Sequence, residues 1–155
     1  MALTKEELRL MLDNEETRYN NIAGKIGTEN IKHLEEFAKG RNLMRAQKAI
    51  YLSSLMKDDA GQPVLTYATG SRNKLKKIAA ASGLKNIKSE RFKNMLAERL
   101  IRTEDVSVRK IVLGSIRDTD VLSDKLKKSI HDLSKKKGSK FIKDLSKTTF
   151  KNIKK

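Results

Sequence analysis

The feature that most constrains the fold is a helical signal repeated along the chain. Apolar residues recur at spacings of three and four, and a Ser or Thr precedes most runs while a Gly follows them. A single proline, Pro63, and abundant Lys, Glu, Leu and Ala favour helix throughout the 155 residues. Because these signals stand at short intervals, we predict an all-α fold: a compact assembly of short capped helices with a basic amphipathic helix at the C-terminus.

Several individual helices follow from this pattern. Thr4 and Glu7 have the spacing of a capping box, which predicts a helix over 5–23. A second helical region is predicted over 29–56 with a break at Gly40, and 57–72 is predicted to be a loop in which 64–67 has the composition of a short strand. A helix over 73–82 is predicted to turn Leu75, Ile78 and Ala79 inward and to end at a left-handed Gly83. Later helices are assigned caps at Ser89, Thr103 and Thr119.

Charge is distributed very unevenly along this sequence. Residues 1–62 carry 10 Lys/Arg and 10 Asp/Glu, whereas 63–155 carry 25 and 9, so the whole net charge of +16 lies in the second part. Within that part, 72–93 carries 8 basic and 1 acidic residue, 94–133 carries 8 and 7, and 134–155 carries 9 and 1. Two separate basic blocks indicate surfaces for a polyanion, most plausibly nucleic acid.

The charge pattern also divides the chain into regions. We predict a charge-neutral helical region for docking or dimerisation over 1–56 and a linker over 57–72. A basic helical domain follows over 73–133, and a lysine-rich helix or tail over 134–155. The alternative for the neutral region is that its apolar faces simply bury each other inside the monomer.

The first basic block contains the candidate nucleic-acid-binding residues Arg72, Lys74, Lys76, Lys77, Lys85, Lys88, Arg91 and Lys93. Across 75–100, an apolar helix face, a stop at Gly83, an extended link that holds Leu84 and Ile87, and a new helix after Ser89 follow one another. This order resembles the helix–extended–helix modules of the SAP/HeH family, in particular the N-terminal domain of transcription termination factor Rho. The matching residues are Leu75, Ile78, Gly83, Leu84, Asn86, Ile87, Arg91, Met95, Leu96 and Leu100. The resemblance implies binding of DNA or RNA through helix termini and Lys/Arg side chains.

Two other interpretations of this stretch remain open. A helix-turn-helix also fits 78–84, although it expects an apolar residue where Ser89 stands and puts Ile87 out of phase. Two ordinary core helices separated by a glycine are the simpler alternative. The scarcity of acids among the cations favours a binding surface, because a merely solvated face normally intersperses both signs.

The second basic block forms a stripe if 139–154 is helical. Six lysines then fall within an arc of about 80° at roughly 100° per residue: Lys136, Lys140, Lys143, Lys147, Lys151 and Lys154. The segment has three interpretations. It packs on the body and offers the lysines to a nucleic-acid backbone, it folds only on a partner, or it lies on an anionic membrane. The lack of Trp argues against the membrane.

The sequence offers little for catalysis or cofactors. His33 and His131 have no histidine one helical turn away, and the chain has no cysteine, so no zinc motif is present. The acidic pairs fit solvated helix faces or loops, and no glycine-rich phosphate loop follows a strand signal. We therefore predict a protein that is not an enzyme and uses no metal or other cofactor.

We expect a non-catalytic nucleic-acid-binding protein that contacts the phosphates of duplex DNA, favoured over RNA, with low sequence specificity. The alternative is a structural or accessory component of a nucleoprotein particle such as a virion. A protein partner or self-association is expected through 1–56. The expected location is intracellular, in cytoplasm or nucleoid, or inside a virion, with neither secretion nor a membrane span.

Overall fold

A computed structural model describes residues 3–116 and 122–135 of the chain. Within these ranges the protein contains nine α-helices and no strand, which confirms the all-α prediction. The helices are α1 (Lys5–Asp13), α2 (Tyr19–Lys25), α3 (Ile31–Lys39), α4 (Leu43–Ser53), α5 (Gln62–Thr69), α6 (Lys74–Gly83), α7 (Glu90–Ile101), α8 (Val106–Ile116) and α9 (Asp124–Lys135). Short 3₁₀ turns occupy Thr28–Asn30, Lys57–Asp59 and Leu84–Asn86. The predicted C-terminal amphipathic helix lies outside the described residues.

The first predicted helix begins correctly and ends early. Thr4 Oγ1 accepts the N–H of Glu7 at 3.1 Å and the Glu7 carboxylate accepts the N–H of Thr4 at 3.2 Å, so the capping box is formed. The prediction of one helix over 5–23 is wrong, because α1 stops at Asp13 and α2 starts at Tyr19. Lys48 Nζ of α4 donates to the carbonyls of Leu12 and Asn14 at 2.8 and 2.9 Å. A tertiary contact thus satisfies the carbonyls that a longer helix would use itself.

The predicted break at Gly40 is confirmed, and it separates α3 from α4. Asn42 begins the second of these helices, because its side-chain oxygen accepts the backbone N–H of Arg45 at 3.0 Å. Leu34, Phe37 and Ala38 of α3 are buried in the core, in positions that the spacing of three and four predicted.

The loop predicted over 57–72 is wrong for half of its length. Gln62–Thr69 forms α5, and no strand occurs at 64–67. Pro63 stands in the first turn, where the missing N–H costs no intrahelical hydrogen bond. Val64, Leu65 and Ala68 turn to one side and are buried. Proline and glycine at the ends of this segment therefore mark the ends of a helix.

The predicted boundary between two regions is bridged by a common core. One cluster of buried apolar residues runs from Leu8 to Leu133 through the described chain. In this cluster α6 packs against α4, α5 and α8, while α9 packs against α7. The neutral and basic regions thus share one apolar core, and the segment 57–72 contributes α5 to it.

Gly83 lies at the closest approach of α6 to the end of α4. Its φ of −80° is right-handed, so the prediction of a left-handed turn there is wrong. The glycine is needed for space, because a Cβ at this position would lie 2.7 Å from Cβ and Oγ of Ser54. Ser54 Oγ cannot easily move aside, since it donates to the carbonyl of Tyr51 and accepts from Asn86 Nδ2 at 3.0 Å.

The caps of the last two helices differ from the prediction. Asp105 rather than Thr103 caps α8, because its carboxylate accepts the N–H of Val108 at 3.0 Å. Thr119 lies outside the described residues, and Ser123 caps α9 by accepting the N–H of Leu126 at 3.1 Å. The buried Asn94 of α7 accepts the N–H of Ser123 at 2.7 Å and so ties the start of α9 to α7.

We expect Gly83→Ala and Gly114→Ala to shift stability in opposite directions. Alanine normally stabilises a helix relative to glycine by about 1 kcal/mol, and a Cβ at Gly114 of α8 would have no atom within 4 Å, so Gly114→Ala gains about that amount. Gly83→Ala forces α4 and α6 apart and costs about 1–3 kcal/mol. Urea denaturation followed by circular dichroism measures both, and equal stabilisation by the two changes would contradict the close approach.

An ion-pair network fixes α1 on α4. Arg45 donates to the two carboxylate oxygens of Asp13 at 2.8 and 2.7 Å, and Arg9 donates to the same carboxylate at 3.1 Å. The hydrogen bond from Arg45 is the main reason that the pKa of Asp13 lies below its ordinary value. This carboxylate therefore stabilises the fold above its unfolded pKa of about 3.9, and the stabilisation is lost as pH falls through the folded pKa.

Asp13→Asn tests this network through the pH dependence of thermal unfolding. At pH 7 we expect the Tm of the variant to be lower by a few degrees or less, because the charge-assisted hydrogen bonds are weakened. The Tm difference shrinks as pH falls through the folded pKa of Asp13, because the wild-type carboxyl then also becomes protonated. A difference that stays constant between pH 7 and pH 2 would show that the charge of Asp13 has no part in it.

Candidate nucleic-acid interface

The first basic block begins at the N-terminus of α6. The side-chain oxygen of Asn73 accepts the N–H of Lys76 at 3.2 Å and so caps this helix. No acidic residue stands in the first turn, and the exposed Arg72 and Lys74 lie on either side of the cap. The N-terminal end of a helix already carries partial positive charge. Cations concentrated here raise the local potential and favour an anion.

Lys74 is partly neutralised within the protein. Its Nζ lies 3.4 Å from Oδ2 of Asp105, the residue that caps α8. The pKa of Asp105 is lowered, chiefly because the N–H of Val108 donates to the carboxylate and further because Lys74 lies beside it. The contact connects the start of α6 to the start of α8, so a ligand at Lys74 competes with a carboxylate.

Lys76 differs from the other predicted site residues because it is buried, with 7% of its surface exposed. Its Nζ donates to Tyr67 Oη of α5 at 2.8 Å and lies 5.2 Å from the ring centre. The ammonium therefore approaches the hydroxyl and not the ring face. Lys39 Nζ lies 5.5 Å from the centre of the same ring. Lys76 thus joins α5 to α6, and it does not belong to the set of surface cations.

The connection from α6 to α7 carries two exposed lysines, Lys85 and Lys88. Its first part, Leu84–Asn86, is a 3₁₀ turn, and Ile87 is the first extended residue with φ −80° and ψ 125°. The predicted extended link is therefore limited to residues 87–89. Ser89 caps α7 as predicted, accepting the N–H of Phe92 at 3.2 Å. Lys85 lies within the turn and Lys88 follows it, and both are at the surface.

The two cations at the start of α7 do not share a face. Arg91 is exposed, whereas Lys93 is half-buried. At about 100° per residue the two positions are about 200° apart around the helix. Lys93 lies on the side that holds Leu96 and Leu100, both fully buried. A ligand that contacts Arg91 therefore does not meet Lys93 on the same helix face.

Two arginines missed by the sequence analysis extend the exposed side of α7. Arg99 and Arg102 are exposed and lie within about 80° of Arg91 at the same helical geometry. They were missed because 94–133 as a whole is nearly neutral. Counting charges on each face of the predicted helix, and not over the whole segment, would have identified them. Glu98 on this face accepts a hydrogen bond from the hydroxyl of Ser123.

A cleft of about 510 Å³ lies beside the connection between α6 and α7. Asn86, Lys88 and Ser89 line one side, and the turn Lys57–Asp59 lies on the other. Asp58 and Asp59 both have a φ of 54°, a left-handed conformation that costs about 1 kcal/mol or more outside glycine. Two carboxylates thus share a cleft with Lys88, so the first basic block does not present a uniformly positive surface.

Of the three α6 residues predicted to face inward, Ile78 and Ala79 pack on the core and Leu75 does not. Leu75 is 40% exposed and Ile78 is half-buried, whereas Ala79 is buried as predicted. The prediction for Leu75 is wrong because the core contacts α6 through the side that carries Lys76, Ala79 and Ala80. The lysine stem fills a place that the hydropathy pattern assigned to leucine.

The second basic block is described only at its start, where Lys135 ends α9. All six of its candidate lysines lie outside the described residues: Lys136, Lys140, Lys143, Lys147, Lys151 and Lys154.

Ion pairs with described carboxylates are more frequent in 1–62, where they involve four of the ten Lys/Arg, than in the first basic block. Carboxylates of the neutral region pair with Lys5, Arg9, Lys39 and Arg45, in five contacts between described residues. In the block, Lys74 pairs with Asp105. The other exposed or half-buried cations form no ion pair with a described Asp or Glu: Arg72, Lys77, Lys85, Lys88, Arg91 and Lys93. The positive charge of this block is therefore largely uncompensated by the described part of the protein.

The described residues provide neither a metal site nor a membrane span. Among them, no group of three or more His, Asp or Glu side chains is arranged to hold a metal ion. None of the described helices combines the length and the apolar character that a membrane crossing requires.

Neither protein-family models nor curated proteins give a match to this chain.

The buried position of Lys76 predicts different effects for two neighbouring lysines. Lys76→Ala removes the packed stem and leaves Tyr67 Oη without its partner, so we expect a loss of about 1–3 kcal/mol in unfolding free energy. Lys77→Ala is the matched control, because Lys77 is half-exposed with no ion pair to a described carboxylate, and its effect stays within about 0.5 kcal/mol. Urea denaturation measures both values. Equal small effects would mean that Lys76 does not support the core.

Proposed function

We propose that this chain is a non-catalytic nucleic-acid-binding protein that contacts phosphates, preferentially of duplex DNA and with low sequence specificity. The observation that carries the proposal is the charge of 72–93, where Lys74 alone of the eight cations pairs with a described carboxylate. In 1–62, by contrast, cations and carboxylates are equal in number and four of the ten cations are paired. A protein that needs charge only for solubility gains nothing by withholding carboxylates from one surface. Phosphates supply the missing counter-charge.

The proposed interface differs in three ways from the candidate residues predicted by the sequence. Lys76 is removed because it is buried, and Lys93 contributes less because it lies on the packed side of α7. Arg99 and Arg102 are added on the side of Arg91. The remaining contacts come from the start of α6 and from the connection before α7, at Arg72, Lys74, Lys77, Lys85 and Lys88. The lysine stripe of 136–154 is retained from the sequence as a second contact.

The chemistry of these residues favours the phosphate backbone. Lysine acts as a mobile point charge, whereas reading of base edges usually employs arginine in a fixed bidentate geometry. The described tyrosines do not form a platform for unpaired bases. The hydroxyl of Tyr67 accepts a hydrogen bond from Lys76, and the rings of Tyr19 and Tyr51 pack on each other with their centres 4.8 Å apart. The helix–extended–helix resemblance of 75–100 is consistent with this proposal and is part of it.

A second candidate is a structural component of a nucleoprotein particle, in which the same lysines screen packed nucleic acid. The exposed apolar side chains of Leu43 and Met44 on α4 and of Leu75 on α6 favour this candidate, because subunits of a particle also need a surface for protein neighbours. The two candidates differ in solution: an accessory protein binds duplex DNA as an isolated chain, whereas a particle component binds firmly only together with its neighbours.

Fluorescence anisotropy over a salt series tests the proposal. The variant Lys77→Glu, Lys85→Glu, Lys88→Glu and Arg91→Glu reverses four exposed or half-exposed cations and lowers the net charge by 4 × 2 = 8 from +16. If each wild-type residue contacts one phosphate, the slope of log affinity against log salt falls by up to about 3.6, since each contact contributes about 0.9. The expected result is therefore weaker binding with a shallower salt dependence than that of the wild type.

The matched control reverses four exposed cations of the neutral region: Arg18, Lys25, Lys32 and Arg41. The control has the same net charge, so a surface-specific effect leaves its slope close to that of the wild type. Equal losses in both variants would show that net charge alone drives binding. Failure of the wild-type chain to bind duplex DNA or RNA near physiological salt would reject the first candidate in favour of the second.

A further inference from the structure

An apolar groove runs between α4 and α6 on the surface of the protein. It encloses about 380 Å³, and Tyr19 of α2 closes one side. The other lining residues are Met44, Gln47, Lys48 and Tyr51 of α4 and Ile78, Ala79 and Ser82 of α6. At about 100° per residue, the lining positions of each helix fall within an arc of about 100°, so each helix contributes a single face.

Large apolar side chains are exposed along this groove. Met44 is 66% exposed and Leu75 is 40% exposed, and Leu43, next to Met44, is 37% exposed. Leu75 does not line the groove itself, but it lies one turn before Ile78 on α6 and extends the apolar surface beyond the end of the groove. Single exposed apolar residues are ordinary, but several gathered at a groove indicate a contact surface.

The walls of the groove are held in place by contacts outside it. The Tyr19 and Tyr51 rings meet edge to face with centres 4.8 Å apart. Lys48 is fixed by two hydrogen bonds from its Nζ to backbone carbonyls at the end of α1. A groove whose walls are already ordered requires little rearrangement when it is filled.

Charge distinguishes among the occupants that such a groove accepts. The lining includes one cation, Lys48, and no carboxylate, and Lys74 and Lys77 lie on the α6 side. A second copy of the chain brings another +16 charge, and the segment 136–155 brings eight lysines with one aspartate. Both place like charges together. Nucleic-acid phosphates do not fill an apolar groove, so an acidic occupant with an apolar face fits best.

We propose that the groove between α4 and α6 binds an acidic amphipathic helix of a protein partner. From Met44 to Tyr51 the groove extends over about 10.5 Å, or two helical turns. A bound helix therefore presents apolar side chains at positions i, i+4 and i+7 and carries Asp or Glu on its flanks. The groove adjoins the proposed phosphate contacts at Lys74 and Lys77, and filling it does not require nucleic-acid binding.

Three labelled peptides of about 18 residues test the proposal with the full chain in fluorescence anisotropy. The first has leucines along one helical face and glutamates elsewhere, the second replaces the glutamates by lysines, and the third scatters the residues of the first around the helix. We expect the first to bind at least about tenfold more tightly than the others. Met44→Gln and Leu75→Gln each weaken the binding of the first peptide by about tenfold, since each removes an exposed apolar side chain that the bound peptide covers.

Leu10→Gln is the matched control, because Leu10 is 58% exposed on α1 and does not line the groove. It leaves the affinity unchanged. Tight binding of the scattered acidic peptide would show that charge attraction alone is at work, and tight binding of the lysine peptide would exclude charge selection. Either result overturns the proposal. Sedimentation of the chain as a dimer that Met44→Gln dissociates would overturn it in favour of a second copy.

Discussion

The close packing of α6 on α4 is the constraint on which the rest of the structure depends. At Gly83 the two helices approach so closely that a methyl group would lie 2.7 Å from Ser54. The hydrogen bonds of Ser54 to Tyr51 and Asn86 hold the end of α4 and the turn before α7 in one arrangement. Because α6 also packs against α5 and α8, this contact fixes the basic helices on the core of the neutral region.

A helix packed on so many sides has little surface left, and this explains how its polar residues are used. Lys76 is directed to Tyr67 inside the protein, and Lys74 is paired with Asp105. The half-buried Ile78 lines the apolar groove, and the exposed Leu75 lies one turn before it on α6. The cations without a carboxylate partner among the described residues are left at the ends of the helix and on α7, where a long anion meets several of them together.

The two proposed surfaces therefore have different physical requirements. The phosphate contacts need exposed charge with little fixed geometry, and they weaken as salt rises. The groove needs ordered walls and desolvation of apolar side chains, so its affinity depends on Met44 and Leu75 and much less on salt. Both surfaces use α6, yet a partner helix in the groove leaves Arg91, Arg99 and Arg102 of α7 available.

The sequence by itself determined the helical class, the break at Gly40 and the caps at Thr4 and Ser89, because these depend on neighbours three or four residues away. Its charge counts also located the first basic block. Tertiary structure decided where α1 ends, since Lys48 binds the carbonyls there, and why position 83 is glycine. It also decided that Lys76 is buried and Leu75 exposed, because the side of a helix that faces the core depends on which other helices pack against it.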